Sequence, residues 1–146
     1  MGKIYTKFIS MAIHYDVQIG LINKNNESML KLRREYYKDM YNNPSVHIIH
    51  IIHGKKYNGF TIIEERKEND YLICETYIGS RSRNKGYMTK TLDSFIDNHK
   101  GHYEFDVIQE NKNSFSFWEH YFSKKGKQLH KIENEYDWCD TYEVYI

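Results

Sequence analysis

The chain has 146 residues with a formal net charge of +1, from 21 Lys and Arg against 20 Asp and Glu. That length suits one domain spanning 1–146, and the charge balance excludes a chain whose partner is chosen by global polyanion attraction. Cys74 and Cys139 are far apart and form no CxxC, which reads as free thiols in a reducing compartment and so as a cytoplasmic location. No run approaches the roughly 18 apolar residues of a membrane span, so no membrane is expected as partner, and the balanced charge gives no reason to expect a nucleic acid.

In chain order, residues 3–22 read as one or two strands. The first clear helix is Asn26–Tyr41, where Met29, Leu32, Tyr36 and Met40 fall at helical spacing behind a candidate N-cap, Asn26; Pro44 ends it. Val46–Ile52 is a β-branched run, Gly54-Lys55-Lys56 a turn, and Asn58–Glu65 the returning strand of a hairpin. Asn69-Asp70 turns the chain again into a third strand, Tyr71–Ile78. The period then changes. Met88, Leu92, Phe95 and Ile96 mark an amphipathic helix within Gly86–His99, stopped by Gly101. His102–Ile108 alternates as a half-buried strand. A further helix carries Phe115, Trp118 and Phe122, with Ser116 and Glu119 as its capping box. Gln128–Ile132 and Thr141–Ile146 close the chain as strands. Strand Tyr71–Ile78, the helix after it and strand His102–Ile108 form a βαβ crossover, so those two strands are expected to be parallel within a mixed sheet.

The chemistry concentrates where Tyr71–Ile78 runs through Gly79-Ser-Arg-Ser-Arg-Asn-Lys-Gly86 into a helix. Helix N-terminal N–H groups lack intrahelical partners and carry the positive end of the dipole, which makes an anion site. Arg81, Arg83 and Lys85 add charge, and Gly86 permits close approach of the backbone to a phosphate.

Arg83-Asn84-Lys85-Gly86-Tyr87-Met88 resembles the [QR]-x-x-G-x-[GA] acetyl-CoA motif of the GNAT superfamily of N-acetyltransferases, with Met88 in place of the usual small residue. Asn111-Lys-Asn-Ser114-Phe-Ser-Phe117-Trp118 is similar to the family's N-x-x-A-x-x-F-[YW], with Ser114 for Ala and Trp118 where many members have Tyr. Tyr57-Asn58-Gly59-Phe60 resembles the entry to the family's third strand. The likeness spans about residues 26–146. It implies an α/β (α+β) fold with a mixed, mostly antiparallel central sheet, a splayed parallel strand pair and helices on both faces, with acetyl-CoA as co-substrate between the splayed strands. It also implies roles: Ile78 and Gly79 offer backbone groups to the pantetheine and thioester, Arg83–Met88 hold the pyrophosphate, and Asn111, Ser114 and Trp118 line the other side. Domains of this kind often pair, so a homodimer stays open beside a monomer.

Acyl transfer to an amine needs a base for the ammonium, donors for the developing oxyanion and a proton for the leaving thiolate. Glu75, a carboxylate in an apolar strand three residues before Ile78, is the candidate base; a backbone N–H near Ile78 is the candidate oxyanion donor. Tyr121 is the candidate acid, because the indole of Trp118 does not supply a proton. His47, His50 and His53 lie on a strand, where His47 and His53 stand about 20 Å apart and His50 faces the other way, so no metal site is expected. Glu133-Asn-Glu-Tyr-Asp-Trp-Cys-Asp140 sets four carboxylates around Tyr136 and Trp138, which suits a cationic amine acceptor.

Two other readings stay open on sequence. One is a catalytically silent acyl-CoA-binding or interaction protein of the same fold. The other is an RNA-binding module, because Lys85-Gly86-Tyr87 matches the opening of the RRM signature, but Met88 and Thr89 stand where that signature has a small residue and an aromatic, and the period that follows is helical.

Overall fold

The computed structural model describes residues 2–109 and 111–146. Four helices, α1 Lys3–Gln18, α2 Glu27–Asn42, α3 Tyr87–Ile96 and α4 Lys112–Lys124, accompany six strands: β1 Val46–His53, β2 Lys56–Lys67, β3 Asp70–Ile78, β4 His102–Ile108, β5 His130–Ile132 and β6 Cys139–Tyr145. The strands hydrogen-bond in the order β1-β2-β3-β4-β6-β5. β3 and β4 are parallel, Asp70 opposite His102 through Ile73 opposite Phe105, as the crossover requires. β4–β6 and β5–β6 are antiparallel. Two-residue connections between β1 and β2 and between β2 and β3 make both of those pairs hairpins; Gly54 at φ 62° and Asn69 at φ 60° supply the positive φ such tight turns demand.

The chain divides into two compact units, one containing residues up to Ile62 with Glu75–Met88, the other Ile63–Cys74 with Thr89–Ile146. In the first unit, α1 buries Phe8, Ala12 and Asp16, one face at four-residue spacing. Phe8 meets Phe60 of β2 edge-on at 5.3 Å and Tyr37 of α2 at 5.8 Å. Residues 3–18 are thus helical, not the strand or strands expected over 3–22. The third position of the buried stripe is a carboxylate, and an acid there masks the apolar period; its burial makes sense only with Arg33, 17 residues on.

The predicted face of α2 also differs. Asn26 does cap it, accepting from the Met29 N–H. Leu32 of the expected stripe, however, is 63% exposed, while Tyr37 is fully buried. The helix is turned so that Arg33 and Tyr37 meet polar partners.

In the second unit, Tyr71 of β3 packs edge-on against Phe95 of α3 at 5.7 Å, and Phe105 of β4 stacks on Trp118 of α4 at 4.7 Å. Tyr71, Tyr103 and Phe105 alternate onto one face, which both helices cover. The N-cap of α4 is Asn111, whose side chain accepts from Ser114 N–H at 3.1 Å. The expected capping box fails because Ser116 lies inside the helix, well past the turn whose donors need a cap.

Candidate active site

Glu75 lies on β3 three residues before the strand ends at Ile78. Its carboxylate meets two helices. The Tyr37 hydroxyl is 2.8 Å from Glu75 Oε2 and 2.7 Å from Asp16 Oδ1. Arg33 bonds Asp16 through Nε at 2.9 Å, approaches the Tyr37 oxygen at 3.3 Å, and stands 3.6 Å from Glu75 Oε1. Burial pushes the Glu75 carboxyl up from 4.5 to about 7; Tyr37's hydrogen bond opposes that, Asp16's charge adds to it, and Arg33 opposes it. Burial beside Glu75 and Asp16 likewise pushes the Tyr15 phenol up to about 12. The sequence singles out Glu75 but not Asp16, Arg33 and Tyr37, because an acid at the third position of the stripe hides the helix that buries it.

Beyond Ile78 the backbone is tightly held. Gly79 N–H donates to Asn58 O at 2.8 Å, and Gly79 O accepts from Ser82 N–H at 2.9 Å. The Gly79 N–H is therefore committed within the protein, while its carbonyl keeps a second lone pair. Ser80–Ser82 form a 3-10 turn, and the buried Ser82 hydroxyl donates to Asn58 Oδ1. Arg83 folds back, its Nε donating to Ile78 O at 3.0 Å and its guanidinium 5.7 Å from the Tyr77 ring centre. Arg83 thus closes the loop onto the strand end, while Arg81 and Lys85 stay exposed.

Asn84 at φ 62° and Gly86 at φ 77° both take the left-handed conformation just before α3. A Cβ at Gly86 would have nothing within 4 Å, so the space beside this backbone is open. The first turn of α3 carries no acid. Met88 does not fill the space: its sulfur accepts from the fully buried Thr61 hydroxyl at 3.1 Å, so the side chain turns to the sheet. Tyr87 stacks on His53, and His50 Nδ1 lies 2.7 Å from the Tyr57 hydroxyl. An open left-handed turn, basic side chains and a helix start without acids together fit an anion such as a pyrophosphate. Lys85-Gly86-Tyr87 opens a helix, which removes the strand that an RRM signature needs.

In the second unit, Asn111 and Ser114 form the α4 cap, and Trp118 is core, stacked against Phe105 and near Phe122. The Tyr121 hydroxyl donates to Asp93 Oδ1 at 2.8 Å, with Lys125 on the same carboxylate at 2.9 Å. Burial, reinforced by the bond to Asp93, raises the Tyr121 phenol well above its ordinary value. Between β5 and β6, an open pocket of about 350 Å³ is lined by residues that include Lys131, Glu133, Asn134, Tyr136 and Asp140. Asn134 shapes it, donating to Thr141 Oγ1 and Cys139 O and accepting from Tyr136 N–H. Asp140 is taken by Lys131 and Gln109. Tyr136 and Trp138 are 48% and 56% exposed, with ring centres 5.5 Å apart.

No family model matches the chain, and no curated protein matches it in sequence. Solved structures do. The PaiA N-acetyltransferase of Thermoplasma acidophilum, in complex with coenzyme A, is similar with a TM-score of 0.71 at 13% identity, over 97% of this chain and 92% of that one. Tetrahymena GCN5 is similar with a TM-score of 0.63 at 17% identity, over 99% and 87%. A variant of the spermidine N-acetyltransferase SpeG from Vibrio cholerae is similar with a TM-score of 0.56 at 16% identity, over 80% and 74%. With its mostly antiparallel six-stranded sheet, single parallel pair and helices, the chain has the fold of the GNAT N-acetyltransferases.

Proposed function

We propose that the protein transfers the acetyl group of acetyl-CoA to a primary amine by direct attack in a ternary complex. The observation that carries this reading is Glu75: a carboxyl brought to about 7, three residues before the end of the strand whose following loop carries the open left-handed turn before α3. A free alkylammonium has a pKa of about 10.4, so at neutral pH an acceptor amine is mostly protonated and unreactive. A base near neutrality removes that proton and is still ionised often enough to do so. Acetyl-CoA supplies an activated acetyl group on a thioester. Asn84, Lys85, Gly86 and the start of α3 hold its pyrophosphate, with Arg81 adding charge. After Glu75 has taken one ammonium proton, the neutral amine attacks; its second proton goes to the departing thiolate, and Glu75 returns its own to solvent.

A cationic acceptor is the class that the β5–β6 stretch supports. Glu133 and Tyr136 line the pocket, and Glu135, Asp137 and Trp138 are exposed along the same stretch of chain. This composition favours a cationic acceptor, a polyamine or a basic peptide, through charge and cation–π attraction. Asp140, already bonded to Lys131, contributes less.

One observation favours a second reading, binding of acyl-CoA without turnover: the candidate acid Tyr121 has its hydroxyl committed to Asp93. Turnover of acetyl-CoA with spermidine, measured beside CoA and pantetheine binding, tests both. The proposal expects turnover that rises as pH climbs through about 7 and falls at least tenfold in Glu75→Gln at neutral pH, with CoA affinity kept. It expects much weaker binding of pantetheine, which lacks the pyrophosphate. Tight CoA binding with no turnover of any amine supports the silent reading, and equal binding of CoA and pantetheine overturns both. The same variant reads out on stability. Glu75 titrates above its ordinary 4.5 in the folded protein, so its ionisation weakens the fold as pH rises through about 7. Glu75→Gln is expected to be the more stable protein at pH 8.

A further inference from the structure

The Tyr37 hydroxyl has one proton and two carboxylates to serve. Asp16 Oδ1 and Glu75 Oε2 both lie within 2.8 Å of its oxygen, and Arg33 Nη2 donates to that oxygen from 3.3 Å. A phenol can donate once. With Glu75 protonated, every group is satisfied: Tyr37 donates to Asp16, and its oxygen accepts from Arg33 and from the Glu75 O–H. The charges then cancel, Arg33 against Asp16. With Glu75 ionised, two carboxylates compete for one hydroxyl proton beside one guanidinium, and whichever loses it is under-bonded in a buried place. The cluster thus has two discrete arrangements that differ by one proton on Glu75 and by the direction of one O–H bond.

We propose that Tyr37 is a positioning residue for Glu75: its single hydroxyl proton points to Glu75 while that carboxylate awaits a proton and swings to Asp16 once Glu75 has taken one. The inference rests on the reading of Glu75 as the base for the acceptor ammonium. In the step, an N–H bond of the ammonium breaks and an O–H bond forms on Glu75; the Tyr37 O–H bond is kept and only turns, and no other proton moves. Solvent access separates the two acids. The Glu75 side chain is 14% exposed, whereas that of Asp16 is fully buried, so Glu75 exchanges its proton and Asp16 serves as the fixed counter-site. The groups facing Glu75 are Asp16 and Tyr15 from α1 and Arg33 and Tyr37 from α2; Tyr77, two residues on along β3, adjoins Tyr15 and the apolar Phe60 of β2. The fully buried Tyr37 ring, edge-on to Phe8, fixes where the hydroxyl sits.

The test is a titration of the whole protein with carbon-13 at the Glu75 carboxyl and at Cζ of Tyr37, alongside the pH profile of kcat/KM. In the wild type the Tyr37 Cζ signal is expected to inflect at the same pH as the Glu75 carboxyl. A Tyr37 signal that stays flat while Glu75 titrates overturns the proposal without any substitution. Tyr37→Phe removes a donor to the ionised form and is expected to move the Glu75 titration, and the acidic limb of the rate profile with it, up by about one pH unit. Asp16→Asn removes the competing carboxylate, leaves Arg33 to Glu75, and is expected to move both downward. Shifts of opposite sign are not produced by general loosening of the packing; no shift, or shifts of one sign in folded variants, overturn the proposal. If Tyr37→Phe does not fold, the direction in Asp16→Asn together with the wild-type Tyr37 signal decides. Carboxyl and phenol signals that behave as expected in a protein with no acetyl transfer overturn the enzymatic reading and leave the two-state hydroxyl standing.

Discussion

Gly59 and Gly86 lack a side chain for different physical reasons. At Gly59 a Cβ would lie 2.1 Å from the Tyr77 carbonyl oxygen and 3.0 Å from the Ile78 Cα, so β2 reaches β3 only because nothing projects there. At Gly86 the space is open, and the constraint is the left-handed φ of 77°. Gly59→Ala is therefore expected to lose more than about 2 kcal/mol in urea unfolding, because backbone has to move. Gly86→Ala is expected to lose only about 1 kcal/mol, the cost of a Cβ in the left-handed region. CoA titration separates the two further: the Gly86 variant loses affinity out of proportion to its stability, since its new methyl occupies the space proposed for phosphate. The Thr61–Met88 contact belongs to the same scale. Met88, where the motif it resembles has a small side chain, leaves the turn clear, because its sulfur accepts a hydrogen bond from a buried hydroxyl on the sheet.

Among the elements, α4 shows how a helix start is chosen. Residue types that cap well recur along its first turns, Asn111 and Ser116 among them. Asn111 wins because its backbone is non-helical, at φ −92° and ψ 76°, and its side chain reaches the Ser114 N–H. Asn111→Ala is expected to cost about 1 kcal/mol in thermal or urea unfolding, and Ser116→Ala to fall within about 0.5 kcal/mol of wild type. Equal effects would mean that the cap lies elsewhere. The α2 helix makes the complementary point. Its cap is local and its start follows from Asn26, but its rotation is set by Arg33 and Tyr37 turning to Asp16 and Glu75.

At the scale of the whole molecule, charge networks make stability depend on pH. In the second unit His102 lies between Asp70, 2.7 Å from Nδ1, and Glu143, 3.1 Å from Nε2, while Arg66 bonds Asp70 and Glu104. Burial opposes the charged imidazole, but the bonds to Asp70 and Glu143 outweigh it and hold His102 above its ordinary 6.5. Burial similarly opposes ionised Asp70, and the bonds from His102 and Arg66 hold it below its ordinary 3.8. A raised histidine contributes stability that is complete below 6.5 and lost as pH rises through its folded value. A depressed carboxylate contributes stability that is complete above 3.8 and lost as pH falls through its folded value. The advantage of wild type over His102→Gln in urea midpoint is therefore expected to be greatest between about pH 4 and 6.5 and to shrink on both sides. A difference independent of pH would assign His102 a packing role alone, against Tyr145 at 4.8 Å.

Local chemistry made much of this protein legible before any fold was known. The β3–α3–β4 crossover, its parallel pairing and the boundaries of β4 follow from a period that switches from two to about 3.6 and back, all within one stretch of chain. The glycine-bearing turn before α3 follows from residue types at adjacent positions, and Glu75 stood out because a carboxylate in an apolar strand requires a reason. What the sequence could not disclose depends on partners far along the chain. Asp16 made α1 look like something other than a helix until Arg33 and Tyr37, 17 and 21 residues away, were brought to it. The rotation of α2 and the shared hydroxyl of Tyr37, 38 residues from Glu75, were decided by the same encounter. Periodicity and turn chemistry act within a few residues, whereas a buried charge is tolerated only when tertiary packing delivers its counter-charge, and no local window contains both.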